Sequence, residues 1–192
     1  MNSKSMEKHF ISADQLLDDS FRLGRLIYES GFRPDFIVGV WRGGTPVGIA
    51  IQEYFAFKEI ETDHIAIRTS SYHGIGKQDE TVRVHGIEYV LDNVHSQQTL
   101  LLVDDVFDSG RSVKAILDEL DTKSGGNMPD IMKIACPWYK PTKNITTITP
   151  DYYLHETDQW LVFPHELVGL TNEEILSGKK HLGEDIKVDL TS

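Results

Sequence analysis

The sequence predicts an α/β fold in which a mostly parallel central sheet is flanked by helices. Two stretches carry this prediction, because each combines a short apolar run, a polar loop and an amphipathic helix in that order. One begins at Phe36 and the other at Leu100. Apolar runs without polar alternation are typical of strands that are buried on both faces, as in a parallel sheet between two layers of helices.

A helix is expected to precede the first of these strands. Ser12 and Gln15 have the spacing of a capping box, and Gly31 is expected to end the helix. Its apolar face consists of Leu16, Leu23, Leu26 and Ile27. The run from Phe36 to Val40 is enriched in β-branched residues and predicts a buried strand.

A glycine-rich loop joins this strand to a second helix. Thr45 is expected to cap that helix and Pro46 to occupy its first position. Gly43 and Gly44 allow a ligand to approach the backbone closely, and the planar guanidinium of Arg42 can bind a phosphate with two hydrogen bonds. The loop therefore predicts an anion site, although paired glycines after a strand also occur in ordinary turns.

A third strand and a long polar loop are expected next. The strand is predicted over His64–Thr69, and the polar residues from Ser70 to about Glu80 predict a mobile loop. Long loops between strands of a compact domain are usually functional or disordered. Val82–His85 and Ile87–Val90 alternate around Gly86, which predicts a small hairpin or two strands at the sheet edge.

Two carboxylates and a small hydroxylated loop follow the strand Leu100–Val103. Asp104 and Asp105 stand at its carboxyl end, where open α/β sheets place their ligand sites. The loop 108–112 then leads into a helix, whose N-terminal N–H groups and dipole favour a phosphate. The apolar stripe of that helix is Val113, Ile116, Leu117 and Leu120. An acid pair before a phosphate loop suits a sugar phosphate, because carboxylates accept hydrogen bonds from vicinal hydroxyls.

The remaining elements are predicted in the C-terminal third. Ile131–Cys136 and Tyr152–His155 are two further candidate strands. The segment 137–141 lies between them and carries Lys140. Thr171 is three residues before a glutamate, the spacing of a capping box, and predicts a short helix.

Length and composition describe a globular protein. The 192 residues suit one domain with a sizeable core, and 40% hydrophobic with 26% charged residues is typical of soluble proteins. Residues 1–9 contain no apolar core of the signal-peptide type, and no apolar run approaches the roughly 20 residues of a membrane-spanning helix. Cys136 is the only cysteine, which favours a reducing, cytoplasmic location.

The charge of the chain disfavours nucleic acid as a partner. A formal net charge of -11 would repel a phosphate backbone. The eight histidines have no metal-ligand spacing and predict no histidine metal site. A polyanionic small substrate would need local positive charge, a helix N-terminus or a metal ion to offset the negative field.

The stretch from Leu101 to Ser112 resembles the phosphoribosyl pyrophosphate (PRPP) motif of the type I phosphoribosyltransferases. In that family an apolar strand ends in two acidic residues, and a short Thr/Ser-Gly loop binds the 5′-phosphate. The resemblance implies that Asp104 and Asp105 hold the ribose hydroxyls, directly or through Mg²⁺, with Asp105 as the metal ligand. It implies that the 5′-phosphate is held by Ser109, Gly110, Arg111 and Ser112.

Two further segments are similar to loops of the same family. The segment with Arg42 and Gly43 looks like the pyrophosphate loop, which often carries a strained peptide at Gly43 or its neighbour. Ser71 and Tyr72 resemble the catalytic flap of the 6-oxopurine enzymes, which closes over the reacting centre and excludes water. Asp108 matches the carboxylate that faces N7 of the purine and implies a general base. An alternative from the residues alone is that Asp108 only caps the following helix.

The base-binding residues resemble those of the xanthine–guanine and hypoxanthine (6-oxopurine) phosphoribosyltransferases. Lys140 is followed by proline as in their Lys-Pro pair, which implies a contact with the exocyclic oxygen of the purine. Trp160, followed by Leu161, matches the aromatic residue that stacks on the base. The family closes this segment with Pro-Trp-Asp or Pro-Trp-Glu. This chain has histidine at position 165, so the motif does not fix the preferred base.

The resemblance implies one phosphoribosyltransferase domain over residues 1–192, with a small hood around residues 137–170 that binds the base. The implied reaction is purine salvage: transfer of ribose 5-phosphate from PRPP to hypoxanthine, guanine or xanthine, with Mg²⁺ and release of pyrophosphate. Neither nucleic acid nor membrane is an expected partner, and a homo-oligomer, dimer or tetramer, is expected.

Two other interpretations of the sequence compete with an enzyme of this kind. The first is a PRPP-binding regulator of the same fold without transferase activity, but Asp108, Lys140 and Trp160 favour the enzyme because a PRPP sensor needs no purine-binding groups. The second is a response-regulator receiver domain, whose first strand is similar to Leu101–Asp105. That strand opens a receiver domain, whereas about a hundred residues precede it here.

Overall fold

A mostly parallel central sheet of seven strands forms the middle of the molecule and confirms the predicted α/β fold. The computed structural model describes residues 8–72 and 81–191. The strands are β1 (Lys8–Phe10), β2 (Phe36–Trp41), β3 (Asp63–Tyr72), β4 (Thr81–His85), β5 (Thr99–Val103), β6 (Val106–Phe107), β7 (Ile131–Tyr139), β8 (Tyr152–Glu156) and β9 (Trp160–Val162). The helices are α1 (Ala13–Glu29), α2 (Gly44–Phe57), α3 (Glu88–Asn93), α4 (Arg111–Lys123), α5 (Asn172–Gly178) and α6 (Glu184–Thr191).

The order of strands brings the two predicted loops to one edge of the sheet. The order is β4-β3-β2-β5-β7-β6, and β8 also pairs with β7. Within the described ranges β4 alone runs antiparallel to its neighbour. Strands β2 and β5 are adjacent and parallel, with Phe36 opposite Leu100 and Gly39 opposite Val103. Their carboxyl ends therefore lie side by side, and the loops that follow them share one crevice.

Successive side chains of the central strands enter two different apolar layers. Phe36 and Leu100 belong to a layer that includes residues of α3 and α4. Ile37 and Leu101 belong to a layer that includes residues of α1 and α2. Both layers are apolar and buried, which explains why these strands are continuous apolar runs rather than alternating ones.

The predicted strand Ile87–Val90 is wrong, because this segment leads into helix α3. Gly86 adopts a left-handed φ of 80° and ends β4. Ile87, Val90 and Val94 are buried and recur at intervals of three and four residues, so they form one helical stripe on the apolar layer. Four residues are too few to distinguish the two-residue period of a strand from the 3.6-residue period of a helix.

Helix α2 begins earlier than predicted, at Gly44, with Gly43 as its N-cap. Thr45 N–H already donates to Arg42 O at 3.2 Å, so the helical turn starts within the loop. Thr45 therefore does not cap the helix, and its Oγ1 is buried without a hydrogen-bond partner among the described residues. Pro46 lies in the first turn, where backbone N–H groups have no intrahelical acceptor.

The β3 strand is longer than predicted and includes the backbone of Ser70, Ser71 and Tyr72. Ser70 pairs with Arg83 and Tyr72 with Thr81 of β4, so the expected loop begins only after Tyr72. The polar stretch 73–80, to which most of the predicted mobile loop belongs, lies outside the described residues.

Both ends of the described chain form a smaller layer beside the central sheet, which we call the hood: β1, β9 and α5. Strand β1 pairs in parallel with β9, with Phe10 opposite Val162. Helix α5 begins at a complete capping box between Thr171 and Glu174, as predicted. Glu174 also forms an ion pair with Lys8 at 2.7 Å, which joins α5 to β1.

Within residues 8–72 and 81–191, no helix combines the length and the apolar character that a membrane crossing requires.

The contact between α2 and the end of β5 makes a prediction about stability. A Cβ on Gly44 would lie 2.2 Å from the carbonyl oxygen of Val103, whereas a Cβ on Gly48 would meet only the Cα of Gly39 at 3.7 Å. Gly44→Ala should lower the free energy of unfolding by about 1–3 kcal/mol because the backbone must shift. Gly48→Ala, the matched control in the same helix, should be neutral or stabilising by up to about 1 kcal/mol. Urea unfolding of both variants measures the difference, and equal stabilities would contradict the close contact.

Candidate active site

The loop after β2 packs directly onto the acid pair after β5. A Cβ on Gly43 would lie 1.8 Å from Oδ2 of Asp105, so any larger residue there would displace that carboxylate. The Gly44 N–H donates to the carboxylate of Asp104. The peptide bond between Trp41 and Arg42 is cis, at the loop where the resemblance implied an unusual peptide. Arg42 has an exposed side chain on the same loop.

The acid pair is the main electrostatic feature of this crevice. Burial raises the pKa of the Asp104 carboxyl well above its ordinary value, and the negative charge of Asp105 raises that pKa further. Asp105 is 8% exposed and its backbone N–H donates to Asp104 Oδ1 at 3.0 Å. Two adjacent, shielded carboxylates repel each other. A cation bound to them, or a hydroxyl that donates hydrogen bonds to them, reduces this repulsion and is therefore favoured.

The predicted phosphate loop has the shape that its glycine allows. Gly110 caps α4 with a φ of 77°, and a Cβ there would lie 2.6 Å from Oγ1 of Thr146. The Ile145 N–H donates to Ser109 O at 3.2 Å, so the segment that follows Lys140 supports this loop. Arg111 lies at the start of α4 with an exposed side chain. The loop therefore presents the N-terminus of α4 to the crevice.

Ser112 connects the phosphate loop to β3. Thr69 Oγ1 donates to Ser112 Oγ at 3.4 Å. Ser71 and Tyr72 follow Thr69 on the same strand, where their backbone pairs with β4. Their side chains lie outside the described part of the structure, and their catalytic role stays a prediction.

A cavity of about 300 Å³ lies beside the acid pair and contains the predicted base-binding residues. Its lining includes Asp105, Val106, Asp108, Lys140, Trp160, Leu161, Val162, Phe163, Glu166, Val168, Gly169 and Leu170. Most of these residues are apolar, and Trp160 is half exposed at 51%. An apolar cleft of this size with a few polar groups is typical of a site for a small planar ligand.

The polar edge of the cavity is formed by Lys140 and Asp108. Lys140 is 8% exposed, and its Nζ lies 2.8 Å from Oδ2 of Asp108. The Lys140 N–H donates to Phe107 O at 2.9 Å, which fixes the end of β7 beside the loop that carries Asp108. The N-cap of helix α4 is Gly110, and Ser109 Oγ accepts the Arg111 N–H at 3.5 Å. Asp108 pairs with the Lys140 ammonium at the cavity.

Two residues of the segment after β9, one in the cavity wall and one beside the acid pair, were not predicted as site residues. Glu166 Oε2 accepts the N–H of Phe163 at 2.9 Å, a local contact between residues three apart. His165 stacks on Phe163 with ring centroids 5.8 Å apart, and its Nε2 lies 3.5 Å from Oδ2 of Asp105. The spacing of Glu166 could have revealed its contact, but His165 departs from the family motif and gave no sequence signal.

The donor set at the acid pair fits Mg²⁺ only with additional oxygens. Within the described ranges no group of three or more His, Cys, Asp or Glu side chains could hold a metal ion. Mg²⁺ prefers oxygen ligands and is commonly held by one or two carboxylates together with substrate phosphates. Asp104 and Asp105 supply such carboxylates, so the residues present fit a metal that arrives with a phosphorylated substrate.

Comparison with known proteins gives the family. The model of the phosphoribosyl transferase domain matches residues 12–168. The chain belongs to this family. All the residues of the crevice and cavity described above lie within the matched range, apart from Gly169 and Leu170 at its end.

Individual phosphoribosyltransferases are similar over most of this chain. A hypoxanthine-guanine phosphoribosyltransferase of Lactococcus lactis is 30% identical over 186 residues, which is 94% of this chain and 91% of the relative. A hypoxanthine/guanine phosphoribosyltransferase of Aciduliprofundum boonei is 28% identical over 148 residues, which is 76% of this chain and 68% of the relative. The crystal structure of a purine phosphoribosyltransferase from Pyrococcus horikoshii is 26% identical with a TM-score of 0.68, covering 86% of this chain and 99% of that one.

The raised pKa of Asp104 predicts a pH-dependent effect of removing its charge. Above the ordinary pKa of an aspartate, the folded state must either keep a proton on Asp104 or bury a charge beside Asp105, so the parent loses stability as the pH rises. Asp104→Asn should therefore match the parent near pH 4 and become more stable than the parent towards pH 8. Urea unfolding at both pH values measures the difference. A gain that is constant, or larger in acid, would contradict the assignment.

Proposed function

We propose that this phosphoribosyltransferase acts in purine salvage, transferring ribose 5-phosphate from PRPP to hypoxanthine, guanine or xanthine with release of pyrophosphate. The observation that carries the proposal is the cavity beside the acid pair, with Lys140 and Asp108 at its polar edge. The similarity to hypoxanthine-guanine enzymes over nearly the whole chain supports the same activity.

PRPP would occupy the crevice between the two loops. Arg42 and the backbone at Gly43 would hold the pyrophosphate, and Asp104 and Asp105 the ribose hydroxyls. The 5′-phosphate would lie in the loop formed by Ser109, Gly110, Arg111 and Ser112. This placement is supported by the contact of Gly43 with Asp105, since pyrophosphate and ribose belong to one molecule.

Asp105, with Asp104 beside it, would hold Mg²⁺ together with oxygens of PRPP. When bound, the metal neutralises the developing charge of the pyrophosphate that leaves. The protein itself supplies Arg42 and the N-terminus of α4 to hold the remaining anionic groups, which matters in a chain with a net charge of -11.

The base would enter the cavity with its O6 and N7 edge towards Lys140 and Asp108. These atoms are neighbours on the purine, and the ammonium and carboxylate are neighbours at 2.8 Å in the site. The ammonium only donates hydrogen bonds, so it favours a 6-oxo group over a 6-amino group. Trp160 and Leu161 would cover the ring faces.

In the reaction, a ring nitrogen of the base forms a bond to the anomeric carbon while the bond from that carbon to pyrophosphate breaks. The base would then carry an extra positive charge, which it loses by giving its N7 proton to Asp108. Closure of the segment with Ser71 and Tyr72 would exclude water from the reactive sugar.

Several properties remain predictions from the sequence. They are a single domain over residues 1–192, a base-binding role for the segment around residues 137–170, a cytoplasmic location and assembly as a dimer or tetramer. Gel filtration with light scattering would test the assembly.

A direct assay tests the activity. The protein would be incubated with PRPP, Mg²⁺ and each of hypoxanthine, guanine, xanthine and adenine, and nucleotide and pyrophosphate formation followed. We expect equal amounts of both products with at least one 6-oxopurine and little with adenine. Binding of PRPP without product from any base would favour the alternative, a PRPP-binding regulator.

The role of Asp108 is tested by Asp108→Asn. Asparagine still accepts a hydrogen bond from Lys140 but takes up no proton, so turnover should fall by roughly 10²–10⁴-fold, the usual worth of a positioned acid or base. The affinity for PRPP should stay close to that of the parent, because the phosphate loop is unchanged. Single-turnover rates at saturating PRPP measure the effect, and near-equal rates would remove Asp108 from the chemistry.

The role of Lys140 is tested by Lys140→Ala, with Lys143→Ala as the exposed control in the same segment. Loss of a hydrogen bond from a charged donor should lower kcat/KM for the 6-oxopurine by roughly 10- to 100-fold. The KM for PRPP should change much less, and the control should behave like the parent. Equal losses for base and PRPP would show that Lys140 is structural.

A further inference from the structure

A buried lysine lies behind the base-binding cavity. Lys179 follows helix α5 and is 1% exposed, which makes it one of the largest fully buried side chains in the described part of the chain. Lysine is almost never fully buried unless its ammonium is paired. Burial lowers the pKa of Lys179, and the nearby Glu166 carboxylate partly opposes this. Removing the Lys179 ammonium from water costs free energy, and a specific hydrogen-bond partner is needed to offset that cost.

The partner of Lys179 is the backbone of Phe163. Lys179 Nζ donates to the carbonyl oxygen of Phe163. Glu166 holds the other polar backbone atom of the same residue, because its Oε2 accepts the Phe163 N–H at 2.9 Å. Two ionisable side chains from different segments therefore hold the backbone N–H and the backbone carbonyl of one residue.

Phe163 occupies a central place in the site. It follows β9 directly and lines the cavity together with Trp160 and Leu161. Its ring stacks on His165, whose Nε2 lies 3.5 Å from Oδ2 of Asp105. Displacement of Phe163 would therefore move the wall of the base cavity and the group that faces the acid pair.

The hood holds Lys179 in position. Helix α5 is anchored by its capping box and by the ion pair between Glu174 and Lys8. At its other end, a Cβ on Gly178 would lie 2.4 Å from the ring of Phe10, so helix and strand β1 are in close contact. The amine of Lys179 lies 5.8 Å from the centre of the same Phe10 ring. Residues from both termini thus direct this amine at Phe163.

We propose that Lys179 is a positioning residue for the base: by holding the Phe163 carbonyl it sets the geometry of the cavity wall that receives the purine. This inference rests on the proposed function. A purely structural core position would be filled more cheaply by an apolar side chain, since replacing buried charges with apolar groups is often neutral or stabilising.

The test compares Lys179→Met with the parent and with Lys180→Met, an exposed lysine at the next position. Methionine fills the buried space without a donor, so Lys179→Met should raise the KM for the 6-oxopurine by about tenfold. The KM for PRPP should stay within about twofold of the parent. Lys179→Gln, which keeps a shorter donor, should restore part of the purine affinity. Lys180→Met should match the parent for both substrates.

Urea unfolding of each variant identifies those that fold. Parent-like KM values in Lys179→Met, or KM values for base and PRPP that rise together, would overturn the proposal. If Lys179→Met does not fold, Lys179→Gln carries the comparison, and its failure to fold would assign Lys179 to stability alone. An inactive parent would remove the proposed function, whereas an active parent with an unaffected Lys179→Met removes only the role of Lys179.

Discussion

The site depends on the close contact between two loops that end neighbouring parallel strands. Because β2 and β5 are adjacent, the loop after one must pass over the acid pair after the other. Gly43 and Gly44 make this possible, since a Cβ at either position would overlap Asp105 or the backbone at Val103. The glycines therefore serve the packing of the protein as well as the approach of a ligand. This contact places the loop that carries Arg42 directly beside the acid pair.

The fold was predictable where local pattern and burial agree. Leu100–Val103 is apolar throughout and lies between two apolar layers. The apolar sequence therefore predicts burial on both faces, and the structure has it. Ile87–Val90 was mispredicted because four residues satisfy either period, and packing against the apolar layer decides in favour of the helix. The cap at Thr45 failed for a similar reason: the loop turns two residues earlier to meet β5, and no local pattern encodes that contact.

The site was predictable only in part. Asp105 is predictable because it stands at the carboxyl end of a parallel strand, whereas Lys140 is predicted only through the family resemblance. The contact of Lys179 with Phe163 was not predictable, because it requires β1, β9 and α5 to assemble from opposite ends of the chain. A lysine near a polar C-terminus has the sequence signature of a solvated surface residue, and only the tertiary structure shows that it is buried.

His165 departs from the family motif but keeps an aromatic stacking contact. Its imidazole stacks on Phe163 with an interplanar angle of 12°, so a flat surface is retained where the motif has tryptophan. Its Nε2 also faces Asp105, the carboxylate that packs on Gly43. The base segment and the pyrophosphate loop are therefore both in contact with one side chain. Two segments that lie far apart in the sequence therefore meet at the Asp105 carboxylate.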